Sequence, residues 1–516
     1  MATRKTLTIF LATITGLVLL MTSSAMAAET PKFGGTLRVA TEAEPPLLDP
    51  HLTTTAIVLR LSMHWMEAPF NQGAKYEIIP ELVESYKTNA DYSVWDIKFR
   101  QGVLFHNGRE MTAEDVVASM NRWGKGISYG KVMYRNVKPV EALDRYTVRI
   151  TLNKSSAILS AYMTQRTRCF IYPKEVIEEV GLKPVKQVIG TGPYQFVEHK
   201  PDRYVKVKRF EKYTARTDPR NGYGGKKVAY YDEILFIPVP EPVQRVNMLQ
   251  GGEVDVAYAM QTDAYQRLEA DPNIDPILTK SWYIIGVFNK KKGPFVNEKL
   301  RQAVQTALDM DPIMMNVAGS KQFYDLNPNL HYKGTVWETN AGAEYYNQAN
   351  PEKAKMLMKE AGYKGEKIRW LVTKRYHYMY NSAVVAAQQL RDVGFNIDLQ
   401  VMDWATVKQR RAKPDEYEIF TTGTGIQTDP SGQSMLTCGW PGWSCFKELD
   451  DLMLKFITQV NFKQRYATWE KIQRFFYEHA VNIKFGDFYT LFGKRKYVKG
   501  YISMAWPYWW NSWLDK

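Results

Sequence analysis

A strand–helix–strand series in the second half of the chain restricts its fold more than any other stretch. Asn350-Pro351 starts a helix, with Ala354, Leu357, Met358 and Ala361 on one face and Gly362 as the stop. Residues 367–373 read as a strand, 382–393 as a helix, and Gly394 as its C-cap. Phe395, Ile397, Leu399 and Val401 then alternate with polar residues in a further strand. Strands joined through a helix run in the same direction, so this series predicts a parallel sheet with crossover helices.

The first half has a different texture. Short strands are predicted at 33–40, at 94–100, where Trp95, Ile97 and Phe99 alternate with charged residues, and at Tyr146, Val148, Ile150 and Leu152. Thr112-Ala-Glu-Asp115 is a capping box that opens a helix through Val116, Val117 and Met120. Strands and helices mixed in this way suit an α/β lobe.

The N-terminus reads as an export signal: Arg4 and Lys5, an apolar run over 7–21, and the small-x-small site Ala25-Met-Ala27. The apolar run is shorter than the roughly 20 residues that span a bilayer, so the mature chain is expected to start at Ala28 and to be soluble in the periplasm. Removing residues 1–27 from 516 leaves 489, and removing Arg4 and Lys5 takes the net charge from +14 to +12. That length exceeds one ordinary core, so two or more domains are expected. The Lys and Arg residues are scattered rather than gathered in a patch, which argues against nucleic acid as a partner. In an oxidising compartment Cys438 and Cys445 are expected to close a short disulfide loop, with two reduced thiols as the alternative. Cys169 is left over as a buried thiol.

Motifs for catalysis are missing from the sequence. It has no Gly-x-Ser-x-Gly, no His-Glu-x-x-His and no nucleotide loop. The seven histidines show no local pairing at metal-ligand spacing. The reading is therefore of a protein that is not an enzyme and needs no cofactor or metal. Interest falls instead on Thr421-Thr-Gly-Thr-Gly-Ile-Gln-Thr-Asp-Pro-Ser-Gly432, which follows the apolar pair Ile419-Phe420. Its glycines permit close approach of another molecule and Pro430 fixes a turn, although an ordinary surface loop has the same composition. At the C-terminus, Trp506-Pro-Tyr-Trp-Trp-Asn-Ser-Trp-Leu514 is either packed on the first lobe or an exposed aromatic patch for a partner. The patch would suit a chaperone-like interaction protein or exported enzyme.

An ordered set of short motifs resembles one family. Pro80-Glu-Leu-Val-Glu-Ser-Tyr86, Phe99-Arg-Gln-Gly-Val-Leu-Phe-His-Asn-Gly108 and Met111-Thr-Ala-Glu-Asp-Val-Val-Ala-Ser119 come first. Gly190-Thr-Gly-Pro-Tyr194, Leu249-Gln-Gly-Gly-Glu-Val-Asp255, Phe288-Asn289 with Pro294-Phe295, Leu300-Arg-Gln-Ala303 and Ala307-Leu-Asp309 follow. Together they resemble the family-5 extracytoplasmic solute-binding proteins, the dipeptide and oligopeptide receptors of ABC importers. The series covers nearly the whole mature chain. Read from the residues themselves the motifs are structural: Gly190-Thr-Gly-Pro-Tyr194 is a tight turn into a strand, and Asn297 caps a helix that buries Leu300, Ala303, Val304, Ala307 and Leu308.

The resemblance implies a two-lobe, Venus-flytrap α/β fold with an enlarged first lobe and a hinge. Lobe I would take residues 28–285 and 484–516, and lobe II residues 286–483, with ligand between them. It also implies a monomer that works with membrane permease subunits and, through them, ATPases. Several residues are similar to ligand contacts in the peptide receptors: Thr53, Thr54 and Thr55, Trp282 and Tyr283, and Trp404. The structural alternatives are a solvated turn for the threonines and core positions for the aromatics. Lys374 and Arg375 lie close to the place of the family's arginine for a ligand carboxylate.

The peptide receptors hold the ligand's α-ammonium with an aspartate four residues before a loop proline. That proline resembles Pro430, and four residues back stands Ile426. Losing the partner of a buried charge costs about 3–5 kcal/mol, so an ordinary peptide with a free amino group fits this site poorly. Asp429 could take the role, but its place before proline suits a turn-former equally. Thr421, Thr422, Thr424, Thr428 and Gln427 could hydrogen-bond hydroxyls, with Gly425 allowing close approach. The expected ligand is therefore an opine-like or N-blocked conjugate, a sugar or sugar acid, or another polar organic anion. A peptide held through another carboxylate is the alternative.

Overall fold

A computed structural model describes residues 30–516, so the expected leader and its cleavage site lie outside the described residues. One sheet of eleven strands runs through both halves of the molecule. Its named strands are β1 (Thr36–Thr41), β2 (Tyr194–Lys200), β3 (Tyr204–Arg209), β4 (Glu233–Pro238) and β5 (Val256–Met260). They continue as β6 (Ile274–Phe288), β7 (Ile368–Val372), β8 (Ile397–Val401), β9 (Ile419–Gly425) and β10 (Ile483–Arg495). The order across the sheet is β8-β7-β9-β6-β10-β5-β1-β4-β3-β2, with Tyr324–Asp325 added along β10.

Two strands join the halves. β6 has 15 residues and β10 has 13, so at the usual rise of about 3.3 Å per residue each is long enough to traverse both. They pair antiparallel from Ile274↔Arg495 to Gly286↔Ile483, with irregularities between Lys280 and Trp282 and between Ile284 and Ile285. From Trp282 onward β6 also pairs with β9, and there the second lobe begins to pack.

The cores divide the same way. In lobe I, Trp65, Tyr194, Phe236, Trp509 and Trp510 form one apolar cluster, and Trp95, Phe99, Trp123 and Ile150 another. In lobe II, Leu300, Ile313, Trp370 and Phe485 cluster on one side of the sheet, and Phe420, Trp469, Phe476 and Tyr283 on the other. The crossover series takes the expected form: β7 and β8 pair in parallel, joined through helix α1 (His377–Asp392), which starts five positions earlier than its pattern suggests. The Thr112–Asp115 capping box and the Asn297 cap are both present. Gly190 and Gly192 have a packing role, because a Cβ on either would meet the main chain of His64 or Trp65 at 2.0–2.7 Å.

One expectation changes, and the aromatic tail takes the packed one of its two readings. The glycine–threonine stretch is no loop as far as Gly425; it is β9, held along its whole length by β6. The aromatic tail is no exposed patch, since Tyr508, Trp509 and Trp510 are fully buried in lobe I. Trp509 Nε1 donates to the Tyr258 hydroxyl at 2.6 Å, and its main-chain N–H donates to His64 Nε2 at 3.2 Å. The Cys438–Cys445 disulfide is formed and Cys169 is a buried free thiol, which burial makes harder to ionise.

Candidate ligand-binding cleft

Three spaces lie between the lobes where β6 and β10 cross. The innermost is a cavity of about 90 Å³ lined by Arg60, Arg166, Tyr258, Trp282, Ile426 and Trp506 among others. That volume holds several waters or one small organic group. Two larger spaces, open to solvent, flank the cavity. One, of about 410 Å³, is lined by Tyr129, Tyr162, Arg166, Gln427, Thr428 and Asp429. The other, of about 1110 Å³, is lined by Thr54, Thr55, Lys374, Arg375, Tyr376 and Trp404. The lobes touch around these spaces: Ala157 N–H donates to Ile457 O at 2.9 Å and Val336 N–H to Lys75 O at 3.0 Å.

Strand alternation explains which aromatic faces the cavity. Neighbours on a strand point to opposite faces, so Trp282 and Tyr283 on β6 cannot share one. Trp282 is 39% exposed and lines the cavity. Tyr283 is fully buried, and its hydroxyl lies 3.0 Å from both Leu330 O and Gln433 Oε1, either of which can accept its one hydrogen. Tyr283 is thus a core residue of lobe II, correcting its assignment to the ligand.

The β9 glycines accommodate aromatic rings of the same chain. A Cβ at Gly425 would press on the Trp282 ring at 3.4 Å, and one at Gly423 would meet Tyr378 at 2.9 Å. The threonines are largely withdrawn. Thr421 is buried and its hydroxyl accepts from Trp370 Nε1 at 2.8 Å, and Thr422 is buried too. The Thr424 carbonyl accepts from the Tyr332 hydroxyl at 2.8 Å. Ile426 is 6% exposed, packs in the lobe II core and still borders the cavity.

Asp429 is the turn-former of its two readings. Its Oδ1 accepts from the Ser431 N–H and hydroxyl, and its Oδ2 accepts from Arg465 at 2.8 Å in a buried ion pair. It is already neutralised, so it offers no free carboxylate to a ligand ammonium. Gln427 turns back on its own loop, donating to Gly425 O at 2.9 Å.

The wide opening gathers the remaining expected residues. Trp404 starts helix α2 (Trp404–Arg410), capped by Asp403, and its ring meets Tyr376 edge-on with Arg411 over its face at 5.2 Å. Lys374 and Arg375 stand at the same opening. Thr53 closes a small turn with Thr55, Oγ1 to Oγ1 at 2.8 Å, while Thr54 and Thr55 reach the opening and their carbonyls accept from Arg168.

The charge around the cleft is positive. Glu42 is paired with Arg60, Asp403 accepts from the Ala405 and Thr406 N–H groups at its helix start, and Asp429 is paired with Arg465. No carboxylate lines the inner cavity among the described residues. Arg60, Arg166, Tyr258 and Trp506 are cavity residues that the sequence did not single out as ligand contacts. Only Trp506 carried a signal, as part of the aromatic tail.

Two α/β lobes, two long strands crossing between them and a lined cavity at the crossing define the class, a two-lobe solute-binding protein of the periplasmic-binding type. The model of "Bacterial extracellular solute-binding proteins, family 5 Middle" matches residues 77–443. The chain belongs to this family, whose members serve ABC importers by binding small solutes and engaging permeases. It is 27% identical over 514 residues to a Sinorhizobium fredii protein named "Probable peptide ABC transporter periplasmic-binding protein y4tO", covering 96% of this chain and 95% of that one. It is 26% identical over 455 residues to the oligopeptide-binding protein AppA of Bacillus subtilis, covering 82% and 80%. The fold matches the structure of the PBP AgaA from A. tumefaciens R10 in complex with agropinic acid, with a TM-score of 0.73, 23% identity and coverage of 93% and 99%. These relatives are named for binding and transport, and no helix among the described residues is long and apolar enough to cross a membrane.

Proposed function

We propose that this receptor captures a small polar organic anion, such as an opine-like or N-blocked amino-acid conjugate or a sugar acid, and delivers it to its permease without turnover. The observation that carries the reading is the lining of the inner cavity: arginines and aromatic rings, with Ile426 in place of an ammonium-binding carboxylate. Trp282 and Trp506 would cover the apolar body of the ligand, with Gly425 giving close access. Lys374, Arg375 and Trp404 stand at the opening, beside Thr54 and Thr55. The lobes would divide along β6 near Trp282 and along β10 near Phe488, a few residues outside the expected 286–483, because Tyr283, Ile284, Ile285 and Phe485 pack in the lobe II cores. They would move about the two crossing strands as a monomer.

A peptide held through its carboxylate is the second reading, and the names of y4tO and AppA support it equally. Isothermal titration separates the two. Agropinic acid and N-acetylated dipeptides should bind, with heat of binding, protection from unfolding and no product. Tight binding of unmodified dipeptides that is lost on acetylation would overturn the anion reading. Formation of product would overturn the receptor reading.

A further inference from the structure

Among the described residues, Arg166 is the one that borders both the inner cavity and the 410 Å³ space beside it. It lies in lobe I, and reaches across to donate to the Ile426 carbonyl of lobe II at 3.4 Å. Its guanidinium lies over the Trp506 ring, 5.0 Å from the centroid. The Arg166–Ile426 contact is therefore a partition, with the cavity on one side and the Gln427–Asp429 turn on the other.

The lack of a charge partner sets this arginine apart from Arg60, the other arginine of the inner cavity. Arg60 is paired with Glu42, and Arg168 donates to the carbonyls of Arg166 and Thr54. Arg465 is paired with Asp429. Arg166 has no carboxylate within ion-pair distance among the described residues; its Nε, like those of Arg60 and Arg168, is buried without a hydrogen-bond partner. Its long bond to a neutral carbonyl engages one of five N–H donors. A planar cation fixed on an aromatic ring at a cavity wall, with no carboxylate of its own, is suited to a ligand carboxylate.

We infer that Arg166 is the specificity-determining residue of the cleft: it holds the ligand's anionic group and, by bridging to Ile426, keeps the ligand out of the space beside Gln427. This rests on the proposed anionic ligand and adds which residue reads the charge and what limits the length. With the bridge removed, the two spaces join and a longer ligand can run from the cavity past Gln427.

The test uses the full mature protein, isothermal titration, and two probe sets. The first set is agropinic acid and N-acetyl-Ala-Ala, each beside its neutral carboxamide. The second is the N-acetyl-alanine series from two to five residues. Wild type should prefer the acids and the shortest members. Arg166→Met should lose about 30-fold or more of its affinity for the acids, as expected when a buried charge loses its partner. It should bind the carboxamides unchanged and shift its preference to the longer oligomers, while Arg166→Lys recovers part of the loss for the acids. A merely structural role would weaken all probes together, so an equal loss across acids and carboxamides overturns the inference. So does wild-type acid preference and length preference in Arg166→Met, and in that case the anionic reading stands. If wild type binds neither acid, the anionic reading fails and the inference fails with it.

Discussion

Replacing Glu81 with glutamine removes an ionisable group from a buried cluster that holds more acid than base. Lys227 Nζ lies 3.2 Å from Glu67 and 3.1 Å from Glu81, and all three side chains are at most 1% exposed. Glu67 accepts from the Thr191 and Tyr213 hydroxyls, and Glu81 from Asn71 Nδ2 at 3.1 Å. Burial, reinforced by the negative charge of Glu67, pushes Glu81 up to about 7 despite the attraction of Lys227. Burial also opposes the charge on Glu67, but there Lys227 and the hydrogen bonds prevail and its carboxyl falls below the usual range. The folded cluster thus keeps one proton, on Glu81.

The sign follows from a folded pKa raised above the unfolded one. Stability is complete below the ordinary 4.5 and is lost as pH rises through about 7. At about 1.36 kcal/mol per pH unit the loss comes to about 3 kcal/mol. A chain of this length has an unfolding entropy of roughly 1 kcal/mol/K, so the effect is about 3 °C in Tm. Glu81→Gln cannot ionise and keeps that stability. Scanning calorimetry should show wild type and variant melting together near about pH 5, with the variant about 3 °C higher near about pH 8. An offset that does not change with pH would refute the assignment of the proton to Glu81.

Other perturbations test separate parts of the structure. His51, His64, His106 and His331 are held neutral by burial, each lowered to about 4. A depressed histidine stabilises above its ordinary 6.5 and loses that stability as pH falls towards 4. Calorimetric unfolding in buffers of different ionisation heat should therefore show uptake of several protons near about pH 5. Arg465→Met leaves Asp429 charged and buried; it should cost about 3–5 kcal/mol and raise hydrogen exchange at residues 427–437, and unchanged exchange there would count against the ion pair as the brace of that turn. Cys438 and Cys445 are seven positions apart, so changing both to serine should cost about 2–3 kcal/mol on the chain-entropy model. Reducing wild type should bring its Tm down to that of the double variant.

Where local chemistry decides the structure, the sequence was a sufficient guide. The β7–α1–β8 unit and the Thr112 and Asn297 caps each depend on residues close together in the chain. Where structure depends on a distant strand, the reading failed. Residues 421–425 look like a loop because glycine and threonine cannot reveal that Trp282 to Gly286 lie opposite. Tyr283 could have been withdrawn from the site by strand alternation alone, once Trp282 was placed in the cavity. Asp429 could not, because Arg465 comes to it from a helix 36 positions away. Arg60, Arg166 and Trp506 converge from three remote segments, and nothing near any of them in the chain marks the meeting point.

The burial of the C-terminal aromatics determines the order in which the molecule can form. Lobe II lies between β6 and β10, so it is complete once β10 is made. Lobe I needs Tyr508, Trp509 and Trp510 to fill the space around His64 and Tyr258. A chain emerging N-terminus first cannot finish its first lobe until Tyr508, Trp509 and Trp510 arrive. The half made first is thus the half that matures last, and a chain cut short before Trp509 keeps an open, sticky core that proteases can recognise.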